Sequence, residues 1–287
     1  MTANTPSASP ANSPFRSVDQ RRRQVVSALP GLGFSLAGGG LLSGCAALPS
    51  APPASALPAS VEHSAVVPFS LLPANGEAPQ GWAPYIIRRD LTRTSYAIEQ
   101  MDGRTVLHAN ADCARSGLYC PVDIDPVASP WLRWQWRVDA MHEEATVDDD
   151  DAEDTPVRVI VAFAGDVSRL PLRDRLFYEQ VELFTGNKLP FATLTYVWDG
   201  QLPVGRVVPY SRSPRIQYQV VESGPARLGQ WLSYERNVVQ DFAKVFGHAP
   251  PGHVSSVGVL TDSDDLKNQV EAWYGDIGLF SSPLAAG

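Results

Sequence analysis

Apolar and polar residues alternate most strictly over residues 131–138, which read Trp-Leu-Arg-Trp-Gln-Trp-Arg-Val. A period of two puts Leu132, Trp134, Trp136 and Val138 on one face and Arg133, Gln135 and Arg137 on the other. That is the mark of a half-buried antiparallel strand. Two indoles on the inner face are a large apolar load, suited to the core between two stacked sheets. Further runs predict strands over residues 65–71, 85–88, 96–100, 105–109, 157–163, 193–198, 215–222, 230–238, 254–260 and 269–280. An Asp-Gly pair at 102–103, between two of these runs, predicts a tight hairpin. Residues 215–222 and 230–238 read as a pair across Ser223-Gly-Pro225. Helical spacing occurs over residues 172–184 and 239–246. Short strands at this spacing with two short helices predict an all-β sandwich over residues 61–287.

Of the 287 residues, 44% are hydrophobic and 19% charged, a composition that buries a core and does not stay disordered. The formal charge is −8, and beyond residue 44 it is 19 basic against 30 acidic residues, or −11. Non-specific nucleic-acid binding needs a basic footprint, so nucleic acid is excluded as a partner.

Residues 1–44 read as an export signal. Arg21-Arg-Arg23 opens a weakly apolar stretch that ends Leu42-Ser-Gly-Cys45, the order of positive, apolar and small-residue regions in a secretory signal. The arginines followed by Gln24-Val-Val26 resemble a twin-arginine export motif. Leu42 to Cys45 resembles a bacterial lipobox, in which the cysteine is acylated and becomes the first mature residue. The resemblance implies lipidation at Cys45 and a membrane as partner. With two acyl chains, at about 0.8 kcal/mol per buried methylene, such attachment is stable. An uncleaved spanning helix is the poorer reading, because Pro30 and the Gly38-Gly-Gly40 run break it. Residues 45–60, rich in alanine and proline, form a semi-rigid tether with a reach of at most about 45 Å. Ala46 stands where an aspartate would hold a lipoprotein in the inner membrane, which implies the periplasmic side of the outer membrane.

Cys113 and Cys120 remain. In an oxidising compartment two spare cysteines at this spacing predict a disulfide, and no nearby histidine completes a metal site. Residues 143–154 carry two glutamates, then Asp148 to Asp151, Glu153 and Asp154. Clustered carboxylates suit calcium, but the spacing fits no loop template, and a solvated charge run is the plainer reading.

The order of the pieces resembles a bacterial family of exported proteins, domain of unknown function 3047. The pieces that carry it are Leu132 to Val138, Val157 to Phe163, Leu194-Thr-Tyr-Val-Trp198, Gln240-Asp-Phe242 with Phe246, Leu260-Thr-Asp-Ser-Asp264 and Tyr274-Gly-Asp-Ile277. The match departs at Asp265-Leu266, where the family would have a polar pair such as Asn-Thr, and in the acidic loop near Asp150. The resemblance implies a jelly-roll-like β-sandwich and brings no activity. Residues 273–279 also resemble the last strand of jelly-roll carbohydrate-binding modules, whose aspartate before the final apolar pair holds a structural calcium. That implies calcium at Asp276 and no other cofactor.

Catalytic motifs do not stand out. There is no Gly-x-Ser-x-Gly elbow and no phosphate loop, and the five histidines lack metal-ligand spacing. Glu222 and Glu235, on strands predicted to pair, would make a hydrolase acting on envelope polysaccharide conceivable. The stronger candidate is a polar patch. Arg137 and Arg158 point away from the tryptophan face on strands read as neighbours, and Asp262 and Asp264 supply acidic partners. As a binding site, the guanidinium forks would clamp carboxylate or phosphate groups of an envelope glycan while Trp198 or Trp273 stacks on a sugar ring. The alternative is a buried ion-pair cluster that fixes strand register and binds nothing. The sequence thus favours an exported lipoprotein whose sandwich binds or scaffolds without catalysis; a hydrolase and a purely structural lipoprotein are the rivals.

Overall fold

The computed structural model describes residues 65–285. The readings at Cys45, the export signal and the tether lie outside the described residues. Among these residues thirteen strands build two sheets. They are β1 (Ala83–Tyr85), β2 (Ser95–Met101), β3 (Arg104–Asp112), β4 (Arg115–Ile124), β5 (Trp131–Val138), β6 (Arg158–Phe163), β7 (Ala192–Asp199), β8 (Val207–Tyr210), β9 (Ser213–Ser223), β10 (Leu232–Asn237), β11 (Val254–Asp262), β12 (Gln269–Tyr274) and β13 (Gly278–Phe280). Two helices interrupt them, α1 (Leu172–Thr185) and α2 (Val238–Phe246). The seven-stranded sheet runs β1-β4-β11-β6-β7-β9-β8 and the six-stranded sheet β10-β5-β12-β3-β2, with β13 also on β5. Every pairing is antiparallel except β7 with β9. This is a jelly-roll-like β-sandwich with two helices, as the sequence pattern and the family resemblance imply.

The tryptophan strand lies at its centre. β5 alternates half-buried and buried residues along its whole length. Trp134 and Trp136 are fully buried and meet edge to face at 5.5 Å, while Trp134 stacks on Tyr196 of the opposite sheet at 5.1 Å. Offset and edge contacts of this kind add to the area that the rings remove from water. The facing strands contribute Val157, Val159, Val161 and Phe163, the apolar phase predicted for residues 157–163.

The two sheets differ in their outer faces, and that difference positions everything functional. In the six-stranded sheet β5, β12 and β3 alternate, so one face is core and the other meets solvent. In the seven-stranded sheet β7 is buried at all eight positions and β6 at all but one. Its outer face is covered by the segment between β5 and β6 and, beside β9, by α1. Val147 of that segment packs on Val197, Val208, Tyr218 and Val220. Gly200 lets the segment approach, since a Cβ there would lie 2.7 Å from the Ala145 carbonyl oxygen.

Several expectations are corrected. Residues 65–71 are not a strand; Pro68 lacks the N–H a ladder needs, and a 3-10 turn over Phe69–Leu71 follows it. Fully buried Phe69 sits against Trp82 at 4.7 Å. Residues 215–222 and 230–238 do not pair: β9 and β10 belong to opposite sheets. Residues 269–280 form two strands interrupted over residues 275–277, where the Gly275 N–H donates to the Gln135 carbonyl at 3.0 Å and a Cβ would lie 3.1 Å from Cβ of Gln135. The helix over 172–184 exists, but Leu172, Leu176, Leu183 and Phe184 face outward while Asp174 and Tyr178 are buried. Tyr178 donates to the Phe191 carbonyl and Ser213 to Asp174, and these polar contacts turn the helix.

No disulfide joins Cys113 and Cys120; both are free. Cys113 is exposed in the β3–β4 turn, whereas Cys120 is buried midway along β4 opposite Val257. Seven residues of extended strand separate them by roughly 23 Å, and a disulfide needs Cα atoms within about 7 Å. The spacing that suggested a small loop is instead the first half of a central strand. Gly117 and Pro121 hide that strand in the sequence. A Cβ at Gly117 would collide with the Val259 carbonyl, and Pro121 faces Ser256 at a bulge in β11, where proline is tolerated.

Two outcomes follow. Truncating Trp136 to alanine should cost about 3–5 kcal/mol in urea unfolding. Of Cys113 and Cys120, alkylation of the native, unreduced protein should modify Cys113 alone. Denaturation without reductant should then expose Cys120 as a free thiol by mass spectrometry.

Candidate functional site

The predicted polar residues fall in two separate places. Arg137 is on β5 in the six-stranded sheet and Arg158 on β6 in the seven-stranded sheet, so they are not neighbours. The period of two gave the correct outward face for each but could not assign the sheet.

Arg158 occupies the covered face, 2% exposed. Its Nε donates to Thr155 Oγ1 at 2.7 Å, Nη1 to Glu153 Oε1 at 3.0 Å, and Nη2 to the Glu153 carbonyl and to Asp262 Oδ2 at 2.7 Å. β11 runs between β6 and β4 and sets Asp262 directly opposite Arg115. Arg115 Nη2 donates to Glu153 Oε2 at 3.0 Å and Nη1 to Asp265 Oδ2 at 3.2 Å. The Tyr218 hydroxyl donates to Glu153, and its ring lies 5.5 Å from the Arg158 guanidinium. Asp154 accepts the backbone N–H groups of Asp265 at 3.1 Å and Leu266 at 2.6 Å, which folds the β11–β12 turn around its carboxylate.

Burial pulls the Arg158 guanidinium down, but Asp262 and Glu153 outweigh it and hold it above its ordinary value. Burial also pushes Glu153 up, and there Arg158, Arg115 and the Tyr218 hydroxyl win and keep it ionised. Asp262 goes the other way. Burial lifts it to about 8 against the pull of both guanidiniums, with Glu153 and Asp154 adding to the rise. The network is therefore rich in carboxylate. With four donor contacts already made, Arg158 has little left for a ligand. The sequence reading missed Arg115, Thr155 and Tyr218 as well as Glu153, which sat in what looked like a solvated acidic run.

The open face presents a different arrangement. One register row crosses the six-stranded sheet from His108 to Trp273 to Arg137. Trp231 immediately precedes Leu232, the partner of Trp136, and so continues the row beyond β5. His108 and Trp273 stack with parallel rings at 5.1 Å. Arg137 lies 6.0 Å from the Trp273 ring, is forked by Asp139 at 2.7 and 3.2 Å, and donates to Asp102 Oδ2 at 3.0 Å. The same Asp102 oxygen accepts Nε1–H of Trp231 at 3.1 Å, and the Arg104 guanidinium lies 4.8 Å over that indole. Asp102 and Gly103 are the predicted hairpin turn, both at positive φ (51° and 73°), the backbone that Asp-Gly adopts readily. The turn hence aims a carboxylate along the row.

The remaining residues named from the sequence lie elsewhere. Trp198 is fully buried, with Nε1–H donating to the Gly224 carbonyl at 3.0 Å, so it presents no ring to a sugar. Asp276 is exposed, and its two oxygens accept the backbone N–H and hydroxyl of Ser70 at 2.8 and 2.6 Å. It pins the entering segment to the closing loop. Glu222 accepts from Tyr234 of the opposite sheet and from Arg227, while Glu235 accepts from Arg133 on the neighbouring strand. They do not face each other across strand partners as a hydrolase pair was expected to.

The family described as "Protein of unknown function (DUF3047)" matches residues 80–278. Among curated proteins, none matches the sequence. Solved structures similar to the chain include an arabinose-bound α-L-arabinofuranosidase (MgGH51), 9% identical over 76% of this chain with a TM-score of 0.37. A carbohydrate-binding module specific for non-crystalline cellulose (CBM28) is 13% identical over 77% of this chain and 93% of its own, at 0.31. Endoglucanase 3 of Trichoderma harzianum, from family GH12, is 7% identical over 70% of this chain and 98% of its own, at 0.35. The chain spans about a quarter, 26%, of the arabinofuranosidase. Likenesses at these TM-scores assign no residue a role.

The buried network makes its own prediction. Arg158→Ala leaves Glu153 and Asp262 without their shared partner and should cost about 3–5 kcal/mol in denaturant unfolding.

Proposed function

The chain belongs to the DUF3047 family, a membership that brings no activity with it, and on that footing we propose that it is a non-catalytic glycan-binding β-sandwich whose binding surface is the open face of the six-stranded sheet. The observation that carries this reading is the row Trp273–Arg137–Trp231. Two indoles stand on a solvated face, held there by stacking and hydrogen bonds, while the other face of the same strand fills the core. Indole faces with forked carboxylates and amides beside them are the groups that bind sugar rings: apolar area for the ring, planar polar groups for its hydroxyls. From Trp273 to Trp231 the row spans two strand spacings, about 10 Å, the length of a short oligosaccharide.

The charge pattern narrows the class. Arg137 is already forked by Asp139 and bound to Asp102, and Glu99 and Glu271 flank His108 at 3.2 and 3.9 Å. A clamp on carboxylate or phosphate would need free guanidinium. The proposed ligand is therefore a neutral glycan, not the acidic one that isolated arginines suggested. In this reading the domain is exported, lipid-anchored through Cys45, and carried on the tether of residues 45–60 toward the glycans of the envelope. The support for that is the order of the twin-arginine and lipobox motifs along residues 21–45.

The test is a neutral-glycan array followed by calorimetry on the mature protein in detergent. Trp273→Ala and Trp231→Ala should each weaken the hit at least tenfold with melting within a few degrees of wild type, as removal of an aromatic anchor does. Arg227→Ala, away from the row, should bind normally. Undiminished binding by both tryptophan variants would sink the assignment to this face. Separately, Cys45→Ser should abolish incorporation of labelled palmitate in cells.

A further inference from the structure

The carboxylates at the edge of the buried network outnumber their partners. Glu153, Asp154, Asp262, Asp264 and Asp265 gather around Arg115 and Arg158, five acids against two guanidiniums. Lys267 adds one positive charge by donating to the Asp264 carbonyl, and Arg88, next in range, is taken by Asp90. By group count the acids exceed the cations by two, and burial has already pushed one of them, Asp262, toward its neutral form.

The excess is localised. One carboxylate oxygen each from Asp154, Asp264 and Asp265 lies within 4.8 Å of the others. Asp264 is 5% exposed, and its Oδ1 has no hydrogen-bond partner; the nearest guanidinium nitrogen, Arg115 Nη1, is 3.8 Å away, beyond bonding distance. Two more buried acceptors in the same stretch, Asp262 Oδ1 and Asn268 Oδ1, also lack donors. Of these, Asp264 Oδ1 belongs to the cluster of three acids, and a buried carboxylate oxygen without a donor is one that a cation satisfies. Calcium takes oxygen ligands at 2.3–2.6 Å, so opposite ligands stand at most about 5 Å apart, and these three oxygens can reach one ion as they are. The bonds that Asp154 accepts from Asp265 and Leu266 leave each of its oxygens a second lone pair. The Asp265 side chain, 24% exposed, opens the place to solvent, which supplies the remaining ligands.

We propose that Asp154, Asp264 and Asp265 bind one hard divalent cation, calcium by its ligand chemistry, which ties the acidic segment between β5 and β6 to the β11–β12 turn. The ion offsets the excess of carboxylate and locks the cover onto the seven-stranded sheet. This site is independent of the glycan face, and it is neither Asp276 nor the exposed run Asp148 to Asp151.

Full-length protein stripped with chelator and titrated with calcium chloride by calorimetry tests it. One calcium should bind per chain with a Kd at or below about 1 mM, the range of extracellular sites. A hundredfold excess over Kd should raise Tm by roughly 5–10 °C. Asp264→Asn should lose at least tenfold in calcium affinity and lose the Tm rise, yet melt no lower than wild type in chelator, because it removes an unpaired like charge. Asp276→Asn and the Asp148→Asn/Asp149→Asn pair should bind as wild type does. No calcium heat and no Tm change in the stripped wild type up to about 10 mM, tenfold above the weakest such sites, would overturn the proposal. So would calcium binding that Asp264→Asn leaves intact.

Discussion

Arg158 is a guanidinium that cannot shed its proton, placed on a sheet face that is covered by protein. An ion in that position loses several kcal/mol of hydration, and only carboxylates with good geometry repay it. Asp262 comes from the adjacent strand β11, so it arrives with the sheet. Glu153 does not; it sits in the connection from β5 to β6. To deliver Glu153 to Arg158 and Arg115, that connection has to lie down on the outer face of the seven-stranded sheet, where Thr155 and Tyr218 complete the cage. An acidic run that looks like solvated chain in isolation becomes the lid of a buried network.

That lid settles which surface is left. With its outer side closed, the seven-stranded sheet is an inner layer, and β7 is buried from end to end. The six-stranded sheet keeps one wet face, and the tryptophans sort accordingly. Trp134, Trp136 and Trp198 are sealed in the core, while Trp231 and Trp273 stand half-exposed on the wet side. Each is steadied by a specific neighbour, Asp102 or His108, so the row is ordered before any ligand arrives. Preorganised aromatic surface of this kind loses little side-chain entropy on binding.

The same network creates the surplus of negative charge at its rim. Two arginines on strands flanking β11 attract more carboxylates than they can pair, because the end of β11 and the turn after it contribute Asp262, Asp264 and Asp265 within four residues. Hydrogen bonds from the turn's own backbone absorb Asp154. Nothing comparable reaches Asp264, and that difference is what separates a closed ion-pair cage from a place with room for a cation.

The sequence alone determined what depends on neighbours in the chain. The alternation in β5 and β6, the Asp-Gly turn, the existence of both helices and the family follow from residues a few positions apart, where backbone geometry leaves few choices. It misled where a local signal had a distant cause. Gly117 and Pro121 read as loop because the backbone of β11 that demands the one and tolerates the other is far away in the chain. A period of two tells inside from outside but is blind to which sheet a strand joins, so Arg137 and Arg158 looked like one patch and are two. The tertiary structure decided that assignment, along with the burial of Trp198, the separation of the cysteines and the meeting of Glu153, Asp154, Asp264 and Arg115. Those contacts join segments whose pairing is fixed by packing across the whole sandwich, and no local pattern encodes it.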